Sequence, residues 1–188
     1  MIDRLMDPAL ASADDAELVR RARLGDRQAF EAIARRHGPV MYRFARRVLL
    51  DDGDAEEAVQ DALLAAWLNL PDFRGDAALR TWLFRLTLNK AHNLRRKRRP
   101  EPREAAAEGL GGPTGDPARD IIENELVVAL DAALTTLPEA QRVAWLLREV
   151  DELAYEEIAA IMHTSRDVVR GLLHRARRKL AERLEPWR

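Results

Sequence analysis

The chain has 188 residues, 47% of them apolar and 34% charged, with a net charge of −1 and no cysteine. A disulfide framework and a thiolate zinc centre are therefore excluded, and the four histidines (His37, His92, His163, His174) stand too far apart in sequence for metal-ligand spacing; no metal or other cofactor is expected. No run approaches the roughly 18 apolar residues of a membrane span, and the opening MIDRLMDPALAS lacks the basic-then-apolar order of a signal peptide, so a cytoplasmic protein without membrane insertion is expected.

Apolar residues first recur at helical spacing in Phe30, Ile33, Ala34 and His37, then in Met41, Phe44, Ala45, Val48 and Leu49, and again in Ala55, Ala58, Val59, Ala62, Leu63, Ala66 and Trp67. These i, i+3, i+4 patterns predict helices that bury one face. Asp54 with Glu57 has capping-box spacing and predicts a helix start at Asp54. This third stretch is acidic, with Asp51, Asp52, Asp54, Glu56, Glu57 and Asp61 and no base between 51 and 61. Asp54, Glu57 and Asp61 share one side of it, which suits a docking surface or a solvated face.

Pro71 and Gly75 interrupt the periodicity in PDFRGDAALR, and a further helix is predicted from about Thr81. That helix runs into the cluster Arg95, Arg96, Lys97, Arg98 and Arg99. Aromatics Phe73, Trp82 and Phe84 are interleaved with its cations and with Asn89 and Asn93, a mixture suited to a single strand held by charge and stacking. Trp82 shares a face with Leu86 and is expected in the core; the loop from Phe73 to Ala78 is the more exposed recognition candidate.

The stretch PEPREAAAEGLGGPTGDP then reads as a flexible tether. It predicts two helical domains, 14–99 and 119–188, joined by residues 100–118. In the second domain Leu126, Leu130, Leu134 and Leu137 form a stripe, and Pro138 suits the first turn of the next helix. No segment alternates with period two, so the fold class is all-α.

In YEEIAAIMHTSRDVVRGLLHRARRKL, Ile158, Ala159 and Met162 mark the buried edge of one helix. Thr164 or Ser165 offers an N-cap, and Val169, Leu173, Ala176 and Leu180 form the stripe of the next. This is a helix-turn-helix pattern. His163 stands where such turns favour glycine, and histidine is among the side chains that best tolerate positive φ. Around the stripe lie Arg166, Arg170, His174, Arg175, Arg177 and Arg178. A lone basic run is an ordinary solvated face, but turn, stripe and cations coincide here, which favours DNA. The near-zero net charge is thus a cancellation between opposed stretches.

Four segments in this order, ELVRRARLGDRQAFEAIARRHG, DAEEAVQDALLAAWLNLPDFRGDAALRTWLFRLTLNKAHNLRRKRR, LPEAQRVAWLLREVDELAYEEIAAIM and VVRGLLHRARRKL, resemble a sigma factor of the extracytoplasmic-function group of the sigma-70 family. The resemblance implies a non-enzymatic transcription initiation factor. It would bind core RNA polymerase, direct it to promoter DNA, help open the duplex and have an anti-sigma partner. By similarity, Asp54, Glu57, Gln60, Asp61 and Leu64 would dock on the clamp helices of the largest polymerase subunit. Phe73, Arg74, Gly75, Asp76 and Ala77 would take a flipped minus-10 base, with Arg80, Asn89, Arg95 and Arg96 holding the strand or flanking duplex. Arg170, His174 and Arg175 would read the minus-35 element, with Arg166, Arg177 and Arg178 on phosphates.

The chain departs from that pattern at three places. The family often has glycine at His163, Gly-Thr at Asp167 and Val168, and Ser-Arg at Gly171 and Leu172. An altered minus-35 contact is expected from these, with Val168 and Leu172 as an extra apolar stripe for a partner. Asn93 replaces a common aspartate. The other readings of the residues are a stand-alone helix-turn-helix regulator and a Mg²⁺ nuclease using the Asp54 to Asp61 carboxylates.

Overall fold

The computed structural model describes residues 8–98 and 128–185, and among them every regular element is helical. The chain divides into two compact units, one built from residues up to 46 with 52–98, the other from 47–51 with residues after 98. The tether 100–118 and Leu126 lie outside the described residues.

In the first unit α1 (Pro8–Ser12) and α2 (Asp15–Arg23) precede the long α3 (Arg27–Leu49), which belongs to this unit as far as Arg46. The Asp14 carboxylate accepts from the Glu17 amide at 2.8 Å and starts α2. Gly25, at φ +89°, turns the chain toward α3. Asp26 then accepts from the Gln28 and Ala29 amides at 3.0 and 3.2 Å while Arg21 holds its other oxygen at 2.8 Å. The first two apolar stretches of the sequence belong to one helix, because α3 runs unbroken through Gly38 and Pro39. Proline supplies no N–H at that step of the ladder, and the helix is carried across it by packing on both sides, with Ile33 and Met41 buried.

Helix α4 (Asp52–Asn69) begins two residues before the expected Asp54, at an Asp52 that accepts from Tyr42 Oη at 3.2 Å and from Arg46. Its inner face is small: Ala55, Ala58, Ala62 and Ala66 are all fully buried. Alanine brings α5 (Leu79–Arg98) close, and there Leu83, Phe84, Leu88 and Ala91 complete the core. Phe44 meets Phe84 and Phe30 meets Trp67 edge to face, each with ring centroids 5.0 Å apart, geometry that adds to the area buried.

In the second unit a helix over 128–135, α6, leads to α7 (Glu139–Trp145), which widens into a π-helical turn at Leu146–Val150. The buried Arg142 donates to the carbonyls of Leu134 and Leu137 at 3.4 and 3.3 Å, tying α7 to the turn that follows α6. Helices α8 (Tyr155–Ile161) and α9 (Arg166–Arg183) follow. Leu134, Leu137, Leu146, Leu147, Ile158, Ile161, Val169, Leu173 and Leu180 make the core, each nearly solvent-free and each contributing about 1.5–3 kcal/mol by leaving water.

Candidate functional site

In the second unit the pair α8 and α9 is joined by a turn of defined chemistry. The Thr164 amide reaches back to the Ala159 carbonyl at 2.9 Å, the six-to-one bond of a Schellman ending. The residue that such an ending puts at positive φ is His163, at +50°. Ser165 then caps α9, its hydroxyl accepting from the Val168 amide at 3.3 Å. Val169, Leu173, Ala176 and Leu180 point inward, leaving Arg166, Arg170, His174, Arg175 and Arg178 exposed on the remaining faces.

Several of these cations already have carboxylate partners. Arg166 Nε lies 3.1 Å from Glu156, Arg170 Nη2 lies 3.0 Å from Asp167, and Arg178 Nε lies 3.9 Å from Glu182. Arg177 is bound more firmly, its Nε and Nη2 donating to Glu149 at 3.0 and 2.6 Å. That bond raises the pKa of a guanidinium that is charged in any case. It is spent on fastening α9 to the turn after α7, which the sequence did not reveal because the two residues lie 28 apart. The Arg175 guanidinium lies over Gly171, where an added Cβ would stand 3.3 Å from Nη1. The expected extra stripe divides: Leu172 is buried in this unit's own core at 9% exposure, whereas Val168 is 46% exposed. Leu172 is therefore not available to a partner, since its side chain fills the space between α9 and the rest of its own unit.

In the first unit a short 3₁₀ turn, Leu70–Asp72, ends the acidic helix and releases the loop. Phe73 packs its ring on Trp82, centroids 4.9 Å apart, which anchors the base of the loop to the core. Trp82 is a core residue, as its spacing suggested, and is 8% exposed. Beyond Phe73, Arg74, Gly75, Asp76, Ala77 and Ala78 are exposed, and Gly75 sits at φ +77° with open space around it. Arg80 lies over the Phe84 ring at 5.3 Å, and Asn89 is half-buried further along α5. Arg95 and Arg96 stand fifteen and more residues beyond Arg80, roughly 22 Å along a helix rising ~1.5 Å per residue. The loop and the start of α5 are thus one cluster and the basic end another.

On α4, Glu57, Gln60 and Leu64 are exposed and Asp54 and Asp61 half-buried. Leu68, one turn after Leu64, continues the face; the two leucines are 66% and 58% exposed respectively. Sequence reasoning missed Leu68, although the alanines had already filled the inner face and left the leucines a different one. The acidic and basic stretches also meet: Arg98 pairs with Asp54 and, at 2.8 Å, with Glu57. Among the described residues no group of three ligand-type side chains is arranged to hold a metal ion, and no helix is long and apolar enough to cross a membrane.

Comparison with known proteins matches residues 33–101 to sigma-70 region 2 and residues 128–180 to sigma-70 region 4. The RNA polymerase sigma-H factor of Pseudomonas aeruginosa is 32% identical over 187 residues, 94% of this chain and 97% of that protein. The ECF RNA polymerase sigma-E factor of Escherichia coli is 34% identical over 182 residues, 92% of this chain and 95% of that protein. Among solved structures, CnrH in complex with the cytosolic domain of CnrY aligns with a TM-score of 0.67 at 31% identity, covering 92% of this chain and 97% of that one. The sigma factor RpoE, in complex with the anti-sigma factor NepR from Bartonella quintana, aligns at 0.70 and 25% identity, covering 83% and 96%. With both regions matched in order and identity above 30% along nearly the whole length, the chain belongs to the sigma-70 family, as an RNA polymerase sigma factor of the extracytoplasmic-function group.

Proposed function

We propose that this sigma factor works as the promoter-reading subunit of a holoenzyme through two domains, 14–99 and 119–188, tethered by 100–118. Core RNA polymerase is held by the α4 face of Asp54, Glu57, Gln60, Asp61 and Leu64, extended by Leu68. The loop residues Phe73, Arg74, Gly75, Asp76 and Ala77 receive an unstacked minus-10 base, with Arg80 beside it and with Asn89, Arg95 and Arg96, farther along α5, on the strand or flanking duplex. Unstacking a base costs a few kcal/mol, so opening draws on contacts made by the polymerase as well. The chain performs no bond chemistry itself; the polymerase does. Its place is with that enzyme in the cytoplasm.

The minus-35 element is read in the major groove by Arg170, His174 and Arg175, with Arg166 and Arg178 on phosphates. Arg177, committed to Glu149, contributes less than its position implies. The observation that carries this reading is the α8–α9 pair itself, a capped helix whose inner row is fully consumed by the core and whose outer rows are basic. Joining two weak DNA contacts through a tether raises the effective concentration of the second. An anti-sigma protein is the expected regulator, since the relatives CnrH and RpoE were solved in complex with CnrY and with the anti-sigma factor NepR.

Run-off transcription with purified core polymerase, with the start sites sequenced, tests the reading. Addition of this chain is expected to create defined start sites preceded by shared minus-35 and minus-10 sequences. Unchanged start-site choice, together with no co-elution with core polymerase, would overturn it.

A further inference from the structure

Asp167 is the second residue of α9, and its side chain is 81% exposed; one turn on, Arg170 is 72% exposed, with Nη2 3.0 Å from the Asp167 carboxylate. Capping does not explain the carboxylate, because Ser165 already performs that role. Contact with the DNA backbone does not explain it either, because a carboxylate repels phosphate. Residues at the start of a recognition helix face base edges, where a carboxylate has a use: it accepts from the exocyclic amino group of cytosine, while an arginine fork spans O6 and N7 of guanine. One pair of side chains here presents both functions side by side. The guanidinium has five donors, so the bond to Asp167 leaves the fork its second edge, and the carboxylate keeps lone pairs beyond the one it shares with Arg170.

We propose that Asp167 is a specificity-determining residue of the minus-35 reader: it orients Arg170 onto a guanine and accepts from the amino group of an adjacent cytosine. The proposal rests on the reading of α9 as the minus-35 helix. An ordinary surface pair at i, i+3 would change helix stability slightly and leave base choice untouched, so base choice is the discriminating readout.

Holoenzymes assembled from core polymerase with the wild-type chain, Asp167→Asn, Asp167→Ala, Arg170→Ala or Arg175→Ala are bound to promoter fragments randomised through the minus-35 element, and the retained fragments are sequenced. Arg170→Ala is expected to abolish preference for guanine at one position. Both Asp167 variants are expected to relax that position and its cytosine neighbour by about fivefold or more while the other positions keep theirs. Asp167→Asn preserves shape, and a melting curve matching wild type separates lost readout from lost fold. Unchanged base preferences in both Asp167 variants would overturn the proposal, and so would a uniform rise in affinity for all sequences, which would make the carboxylate only a repulsive charge. If Arg170→Ala and Arg175→Ala leave the minus-35 preference intact, or wild type shows none, the minus-35 reading itself falls and the proposal with it.

Discussion

The Thr164 amide and the Ala159 carbonyl are joined at 2.9 Å across a turn that passes through His163 at φ +50°. An L side chain in the left-handed region costs roughly 1–2 kcal/mol relative to its relaxed state, and glycine removes that cost while adding back some unfolded-state entropy. His163→Gly is therefore expected to stabilise the second unit by about 0.5–1 kcal/mol. A β-branched residue has the opposite expectation, so His163→Val should weaken the unit by at least as much. Hydrogen exchange at the α8 and α9 amides reads both. A His163→Gly protein that exchanged faster than wild type would show that the imidazole makes a contact worth more than the strain.

Val168 and Leu172 are one turn apart in α9 yet differ in environment, 46% exposed against 9%. Truncating a leucine at that degree of burial leaves a cavity and costs about 2–3 kcal/mol, whereas an exposed valine contributes within about 0.5 kcal/mol. Leu172→Ala should accordingly accelerate exchange throughout α7 to α9, and Val168→Ala should leave it unchanged. Equal effects from the two would contradict the division of the stripe.

The helices and their buried rows were legible because amphipathic spacing directly records which side chains leave water: Val169, Leu173, Ala176 and Leu180 are all buried. The left-handed turn at His163 was legible from turn chemistry, since a six-to-one ending demands positive φ whatever residue fills it. Helix α4 was harder to start correctly, because its first turn is anchored from a distance by Tyr42 and Arg46 on Asp52 rather than by a local box. The assignment of Leu172 was missed for a related reason. Periodicity says that Leu172 adjoins the stripe, but whether its neighbours reach it depends on the packing of other helices. Ion pairs such as Arg177 with Glu149 and Arg98 with Glu57 are invisible in sequence, since nothing local distinguishes a fastened arginine from one left for phosphate.

Asp15 ties the start of the first unit to α3: Arg36 Nη1 donates to it at 2.8 Å, His37 Nε2 lies 3.0 Å away, and Arg36 Nη2 also reaches the carbonyls of Ala13 and Ala11 at 2.6 and 3.3 Å. Burial alone would raise the carboxyl pKa, but hydrogen bonds and charge from Arg36 and His37 outweigh it and hold the value below the usual 3.8. A depressed folded-state pKa means that this stabilisation is present in full above the ordinary carboxylate range and is lost as the pH falls through the lower, folded-state value. Asp15→Asn is expected to expose the α2 amides to faster exchange at neutral pH and to flatten the acid limb of the stability curve. An acid limb identical to wild type would show that the carboxylate titrates without consequence.

Arg98 and Arg96 sit two residues apart at the end of α5 but have different partners. Arg98 is shared by the carboxylates of Asp54 and Glu57, whereas Arg96 donates to the neutral amide of Asn93 at 3.1 Å. Each cation that displaces a counterion from duplex DNA steepens the logarithmic salt dependence of binding by about 0.9. A cation already neutralised by carboxylates must first give them up, and its net release is smaller. In holoenzyme titrations against promoter fragments at graded salt, Arg96→Ala should shallow the slope by about one and Arg98→Ala by clearly less. In a Glu57→Gln background, where Arg98 keeps its guanidinium and its pair with Asp54 but loses the second carboxylate, Arg98→Ala should shallow the slope by more than it does in the otherwise wild-type chain. Identical slopes for Arg96→Ala and Arg98→Ala, unaffected by Glu57→Gln, would mean that the pairs with α4 dissolve when DNA arrives and place no constraint on how the basic end is used.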